Sequence, residues 1–135
     1  MQTFLPYADL RKSVECLDYR RLGKQRVEAM QILKALTRGS GGWSNHPATK
    51  MWRGHETALM QYHDEACLEF DHRGYTNNMK LFVPDPKAVI LPPWFGNEAF
   101  HSAHRAALLA KDFKWYSQFG WVEEPRIEYI WPSAA

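Results

Sequence analysis

A proline-free run near the N-terminus, residues 9–38, constrains the fold more than any other feature of the chain. Good helix formers dominate this run. Asp9 suits a helix N-cap, and the glycine-rich residues 39–42 suit a helix end. The pattern therefore predicts one helix, which at 1.5 Å per residue would span about 40 Å, long for a small domain.

Two more helices are predicted further along the chain. Pro47 suits the first turn of a helix that ends near Arg73, where Gly74 is a natural stop. A third helix is predicted over about residues 97–111. Four prolines at positions 84, 86, 92 and 93 predict an extended crossing between these two helices, with a short strand at residues 80–83.

The predicted fold class is all-α, with three main helices, a proline-rich crossing and an aromatic C-terminal tail. A chain of 135 residues fits one domain, residues 1–135. No apolar run approaches the roughly 18 residues of a membrane helix, and no secretory signal is visible, so a cytoplasmic location is expected. Cys16 and Cys67 are predicted to be reduced, buried thiols.

Charge is distributed unevenly along the chain. Residues 1–53 hold ten Lys and Arg against four Asp and Glu, a balance of +6, whereas residues 54–135 hold seven against eleven, a balance of −4. Aromatic residues make up 14% of the chain. Basic residues beside aromatic ones are typical of nucleic-acid surfaces, so an anionic partner such as DNA is expected.

Charged residues also interrupt the apolar side of the first predicted helix. On one continuous helix a single stripe would hold Leu10, Val14, Leu17, Arg21, Glu28 and Ile32. Asp18 would lie at its edge. Since burying a lone charge is costly, two interpretations remain, a structural ion-pair arrangement or a site at the end of the core.

The same helix carries four cations in seven residues: Arg20, Arg21, Lys24 and Arg26. They are either a solvated helix face or contacts to phosphates. Their spacing wraps over half the helix, so they cannot all touch one DNA backbone.

The histidines suggest polar contacts more than a metal site. His101 and His104 are three residues apart on the third predicted helix, but no third ligand has convincing spacing, so no metal and no cofactor are expected. Hydrogen bonds to a phosphate or substrate, and capping or core contacts, remain alternatives. His46 precedes a helix start, which favours anions. Phosphate-loop, serine-elbow, CxxC and HExxH motifs are absent from the sequence.

Several motifs, in their order along the chain, resemble the phage-type pyrimidine-dimer DNA glycosylase family. They are residues 17–28 (LDYRRLGKQRVE), residues 45–47 (NHP) with 51–54 (MWRG), residues 101–105 (HSAHR) with Lys111, and Trp115-Tyr116 with Phe119-Gly120. The resemblance covers almost the whole chain. It implies an all-α fold and cleavage of the N-glycosidic bond at a damaged pyrimidine, followed by nicking at the abasic sugar.

The resemblance also implies the roles of several residues. In this family the free α-amine of the first residue attacks C1′ of the sugar and forms a Schiff base, and a glutamate on the first helix assists. Free α-amines are partly neutral at physiological pH and are usable nucleophiles. Arginines of the first helix bind phosphates, and the Trp-Tyr stretch engages the lesion, which suits a reaction on a displaced nucleotide.

The chain departs from the well-studied member at two positions. Arg21 occupies the place of the catalytic glutamate, so Asp18 and Glu28 are the candidate carboxylates and Glu28 is favoured. Gln2 is too large for ordinary methionine removal, so the α-amine of Met1 is the expected nucleophile, with Lys24 as the alternative amine.

The remaining assignments complete the expected site. Arg20, Arg21, Lys24 and Arg26 are assigned to phosphate or transition-state contacts. The other residues assigned to DNA binding are His46, His101, His104, Arg105, Lys111, Trp115 and Tyr116.

The sequence thus predicts a monomeric, metal-independent DNA glycosylase acting on a damaged or modified pyrimidine in double-stranded DNA, with an abasic-site lyase step. Three alternatives remain open. They are a non-catalytic module that binds distorted DNA, a nuclease or nucleoside-processing enzyme on the same scaffold, and an interaction protein whose basic helix pairs with an acidic partner.

Overall fold

The computed structural model describes residues 1–39 and 42–132, and within them it contains helices and no strand, which confirms the all-α prediction. Six α-helices occur in these ranges: α1 Leu10–Glu15, α2 Tyr19–Arg38, α3 Pro47–Trp52, α4 Glu56–His72, α5 Glu98–Lys111 and α6 Phe113–Tyr116. Two 3₁₀ turns, Pro86–Ala88 and Ser117–Phe119, complete the regular structure.

The long first helix of the prediction is divided into α1 and α2. Asp9 caps α1 as expected, its side chain accepting the Lys12 amide at 2.8 Å. A second aspartate, Asp18, caps α2 by accepting the Arg21 amide. Because residues 16–18 interrupt the helix between α1 and α2, the single stripe predicted across residues 10–32 does not form, and that prediction is wrong.

The α2 helix ends at Gly39, whose φ of 69° is the left-handed conformation that glycine adopts most readily. Its amide donates to the Ala35 carbonyl at 3.0 Å. Ser40 and Gly41, which the sequence included in this helix end, lie outside the described residues.

The second predicted helix is divided as well. Pro47 begins α3 and His46 caps it, with His46 Nδ1 accepting the Ala48 amide at 3.0 Å. Residues 53–55 interrupt the helix at Gly54, where φ is 85°. The α4 helix then runs to His72, and Gly74 follows it as predicted.

The predicted strand at residues 80–83 is absent. The Asp64 carboxylate on α4 accepts the backbone amides of Phe82 and Val83, at 3.0 and 2.7 Å. Because a side chain satisfies these donors, this part of the crossing needs no neighbouring strand. The third predicted helix is confirmed as α5, which starts at Glu98 after the Asn97 cap.

The core lies where α2 packs on α4, with the start of the chain buried beside them. Residues 2–6 are buried although they adopt no regular structure.

Cys16 and Cys67 are buried free thiols, as predicted, and burial raises their pKa to about 12 and about 11. None of the helices in residues 1–39 and 42–132 is long and apolar enough to cross a bilayer.

Candidate active site

A cleft of about 1120 Å³ runs along α2 beside the start of the chain. Residues 18–21 and 23–28 supply most of its lining. The start of the chain adds Met1, Gln2 and Phe4, and α4 adds Phe70. The remaining lining residues belong to the C-terminal part of the chain: Lys111, Asp112, Ile127 and Tyr129. Segments far apart in sequence therefore meet around the cation-rich helix.

Four cations of α2 line the cleft, and three of them define its cationic rim: Arg20, Arg21 and Lys24. Arg20 and Lys24 are exposed and make no ion pair within the described part of the chain, whereas Arg21 Nη1 lies 3.2 Å from Asp18 Oδ1. Exposed cations without internal partners are available to phosphates.

The fourth cation of α2, Arg26, is held more tightly. Its guanidinium lies 3.8 Å from the centroid of the Phe70 ring, and it donates to Asn77 Oδ1 at 2.6 Å. Arg26 therefore lines the cleft with its side chain already engaged.

Glu28 lies in the cleft beside the start of the chain. Its Oε2 atom accepts from Gln25 Nε2 at 2.7 Å, and it also accepts a backbone hydrogen bond from Gln2. Burial raises the pKa of Glu28, while the ammonium of Met1 and then Lys24 act in the opposite direction. A carboxylate whose pKa is raised toward neutrality is suited to proton transfer.

Side chains from several elements fix the buried start of the chain. Thr3 Oγ1 accepts from Trp52 Nε1 at 3.0 Å. The Leu5 amide donates to His104 Nδ1 at 2.8 Å, and the Leu5 carbonyl accepts from His101 Nδ1 at 2.7 Å. Because this segment makes no ladder or helix, its buried backbone groups depend on these side chains. They hold the start of the chain against the cleft.

Gln25 is the residue of this site that sequence reasoning missed. It is only 1% exposed, and it contacts both Glu28 and the backbone of residues 2–4. The sequence feature that could have identified Gln25 is a neutral polar residue on the apolar side of α2. Its charged neighbours Lys24 and Arg26 drew the interpretation toward the cations instead.

Asp18 is occupied by structural contacts. Its backbone amide donates to the Tyr116 hydroxyl at 3.0 Å, and that hydroxyl donates to Asp18 Oδ1. The same carboxylate caps α2 and pairs with Arg21. Of the two candidate carboxylates, the geometry therefore favours Glu28 as the one available to a substrate.

The expectation that His101 and His104 face DNA is corrected by the structure. Both side chains are fully buried, and His101 Nε2 accepts the Gly96 amide at 3.0 Å. Burial lowers the pKa of both, that of His104 to about 3. The two histidines support the start of the chain through Leu5. Within the described ranges, no group of three or more His, Cys, Asp and Glu is placed to hold a metal ion.

His46, which was expected to line the cleft, is not among its lining residues. Burial lowers the pKa of His46, and the ammonium of Met1 lowers it further. Its ring contacts those of Trp43 and Trp131, with centroids 5.5 and 5.9 Å apart.

Arg105 is also corrected, from a DNA contact to an internal anchor. Its guanidinium donates to Glu123 at 2.8 Å, to Glu98, and to the Pro6 carbonyl at 2.7 Å. Its charge is therefore neutralised inside the protein.

The aromatic pair on α6 divides between core and surface. Tyr116 is fully buried, so the expectation that it stacks on a base is corrected. Trp115 is 37% exposed and donates to the Cys16 carbonyl at 2.8 Å, which leaves part of its ring at the surface. Lys111 is exposed and lines the cleft.

Tyr129 is a second cleft residue that was not assigned from the sequence. Its ring makes edge contacts with Phe4 and His104, with centroids 6.3 and 6.0 Å apart. Burial raises its pKa, and its hydroxyl is sensitive to the charges of Arg21 and Glu28. The aromatic tail thus contributes a flat side chain to the cleft.

Comparison with known protein families gives one match. A family model described as pyrimidine dimer DNA glycosylase matches residues 1–83, which include Met1, Glu28 and the cationic rim. Neither the comparison with curated proteins nor that with solved structures gives a significant match. Since the matched residues, 83 of 135, are more than half of the sequence, the chain belongs to the pyrimidine dimer DNA glycosylase family.

Proposed function

We propose that this protein cleaves the N-glycosidic bond of a damaged pyrimidine in double-stranded DNA and then cleaves the strand through a Schiff base on Met1. The observation that carries the proposal is that Met1 and Glu28 line one cleft beside the cationic rim. Family membership supports pyrimidine-dimer DNA as the substrate.

In the proposed reaction the deprotonated α-amine of Met1 attacks C1′ of the damaged nucleotide. The N-glycosidic bond breaks, and the base leaves C1′ with the bonding electrons and takes up a proton. In a pyrimidine dimer this base stays joined to the neighbouring base through the cyclobutane ring. The sugar ring opens, giving an imine between C1′ and the amine. Loss of a 2′ proton then expels the 3′ phosphate, and water hydrolyses the imine to free the enzyme.

Glu28 assists this chemistry in two ways. When ionised, its carboxylate stabilises the cationic sugar and the protonated imine. When protonated, it returns a proton to a departing group, for which its raised pKa is suited.

The cationic rim holds the DNA. Arg20 and Lys24 contact phosphates on either side of the target nucleotide, and Lys111 extends the cationic surface across the cleft. Displacing a nucleotide loses base stacking, which flat side chains such as Tyr129 and the exposed face of Trp115 replace.

The proposal is tested with duplex oligonucleotides that carry a thymine dimer, a modified pyrimidine, an abasic site or no lesion. Cleavage of the N-glycosidic bond and cleavage of the strand are measured separately. Because the two bases of a dimer stay covalently joined after one glycosidic bond is cut, the dimer is photoreversed before free base is detected. The proposal predicts free thymine from the photoreversed dimer duplex, and strand cleavage without alkali.

Each other outcome would contradict a part of the proposal. Cleavage only after alkali would remove the lyase step, and release from the modified pyrimidine alone would change the substrate. Binding without turnover would support a DNA-binding module. A metal requirement, or activity on free nucleosides, would support a nuclease or nucleoside-processing enzyme.

A further inference from the structure

We infer that Gln25 is a positioning residue that fixes the start of the chain and the Glu28 carboxylate relative to each other. The inference rests on the proposed function and deepens it, since it concerns how the nucleophile and the carboxylate are brought together. Gln25 belongs to α2 and is buried beneath the cleft.

One side-chain amide makes contacts in both directions. Gln25 Nε2 donates to Glu28 Oε2 at 2.7 Å and to the Gln2 carbonyl at 3.0 Å. Gln25 Oε1 accepts the Phe4 amide at 2.8 Å and lies 2.7 Å from the Tyr62 hydroxyl. Both N–H groups of the amide are therefore used, and its oxygen accepts from Phe4 beside the Tyr62 hydroxyl, which also lies 2.8 Å from the Phe4 carbonyl.

This arrangement suits positioning because the amide is planar and belongs to a helix. The Gln2 and Phe4 backbone groups flank Thr3, and Gln2 directly follows Met1, so Gln25 holds the segment that delivers the α-amine. The amide nitrogen of Gln25 also holds the Glu28 carboxylate. A displacement of about 1 Å between reacting groups can cost about 100-fold in rate.

Gln25 also influences the protonation of Glu28. Its N–H group favours the ionised carboxylate, against the effect of burial. The charged or titratable groups that act on Glu28 are the ammonium of Met1, Lys24 on α2, Tyr62 on α4 and Tyr129 in the C-terminal segment. Removing the Gln25 donor leaves these groups in place and makes Glu28 harder to ionise.

Gln25→Glu tests the inference by replacing one atom, the side-chain nitrogen, with oxygen. The variant keeps the size of the side chain and the oxygen that accepts from Phe4, but it replaces the donor with a carboxylate oxygen. We expect the single-turnover rate of N-glycosidic bond cleavage in a thymine-dimer duplex to fall about 100-fold. The Kd for that duplex is unchanged, and the limb of the pH–rate profile that follows Glu28 moves to higher pH.

The chain offers a matched control on α4. Gln61 Nε2 donates to Glu65 Oε1 at 2.8 Å, and neither residue lines the cleft. Gln61→Glu therefore makes the same chemical change beside a glutamate elsewhere. It keeps the wild-type rate and pH profile.

The outcomes separate this inference from the proposed function. An inactive wild-type protein contradicts the proposed function and the inference with it. An active wild type with a folded Gln25→Glu variant of unchanged rate and pH profile overturns the inference alone. If Gln25→Glu does not fold, Gln25→Asn repeats the test with an amide one methylene shorter. Failure of both to fold, or a lower Tm with an unchanged pH profile, assigns Gln25 to stability and also overturns the inference.

Discussion

Helices α2 and α5 both contact the start of the chain, and both carry polar residues that the sequence assigned to the site, but they use them differently. On α2, Arg20 and Lys24 are exposed at the cleft, and Glu28 faces the start of the chain. On α5, His104 and Arg105 are engaged by Leu5, Pro6 and glutamate side chains. Residue types and spacing predicted site residues on both helices alike. The burial of the side chains on α5 is what distinguishes the two helices.

The comparison predicts a division of roles between the two helices. Changes at Arg20, Lys24 and Glu28 of α2 are expected to impair chemistry or DNA binding while the fold survives. Changes at His104 and Arg105 of α5 are expected to weaken the fold, while the activity of each folded molecule survives. The following predictions test this division, from the largest expected effect to the smallest.

Glu28→Gln is expected to lower the rate of N-glycosidic bond cleavage by about 10³-fold, since a positioned proton-transfer group contributes about 10²–10⁴-fold. Stability is not expected to fall, because burial already opposes ionisation of Glu28 and glutamine has the same shape. Single-turnover kinetics and thermal unfolding measure the two effects, with Glu65→Gln on α4 as the control. A sharp fall in Tm with normal activity per folded molecule would make Glu28 a structural residue.

His104→Phe is expected to destabilise the protein by about 1–3 kcal/mol, because the buried Leu5 amide loses its acceptor. The aromatic neighbours Phe4, Phe100 and Tyr129 accommodate a ring at this position. Thermal unfolding should show a Tm lower by about 5–10 °C. Activity per folded molecule at 25 °C should stay within a few-fold of wild type, and a collapse of activity at unchanged Tm would place His104 in the chemistry.

The stability of the protein is expected to fall as the pH is lowered from about 6.5 toward 3. Burial lowers the pKa of His104 from 6.5 to about 3, so in this window the unfolded chain binds the proton more readily than the folded one. The loss should reach a few kcal/mol. Urea unfolding at several pH values measures it, and His104→Phe should flatten this dependence. An equally steep dependence in the variant would assign it to other groups.

Arg20→Gln is expected to weaken DNA binding modestly and to reduce the salt dependence of the binding constant by about 0.9 in the log–log slope, the value for one phosphate contact. Arg105→Gln should leave that slope unchanged, because Glu98 and Glu123 already pair with Arg105. Fluorescence anisotropy over a salt series measures both slopes. A reduced slope for Arg105→Gln would contradict the division between the two helices.

Local signals in the sequence predicted the helices well and their interruptions poorly. Pro47, Gly74 and Asn97 act through their own neighbours, so the sequence alone placed them. The break between α1 and α2 depends on Asp18, which is held by Tyr116, a residue 98 positions away. A contact of that separation leaves no local pattern.

The candidate site divides in the same way. Glu28 and the cationic rim lie on one helix, so their clustering followed from spacing. The supporting role of His104 depends on Leu5, 99 positions away, and that of Gln25 on Phe4, 21 positions away. Their side chains resemble ligands or surface residues in the sequence, and only the tertiary contacts give their partners.

Borohydride trapping of the wild-type protein on a thymine-dimer duplex and an abasic duplex tests the central claim most directly. Reduction fixes any Schiff base as a stable amine, and mass spectrometry of the digested complex maps the attached residue. The claim that the α-amine of Met1 acts in the cleft beside Glu28 predicts an adduct on the peptide that contains Met1. An adduct on Lys24, or N-glycosidic bond cleavage without any adduct, would contradict it.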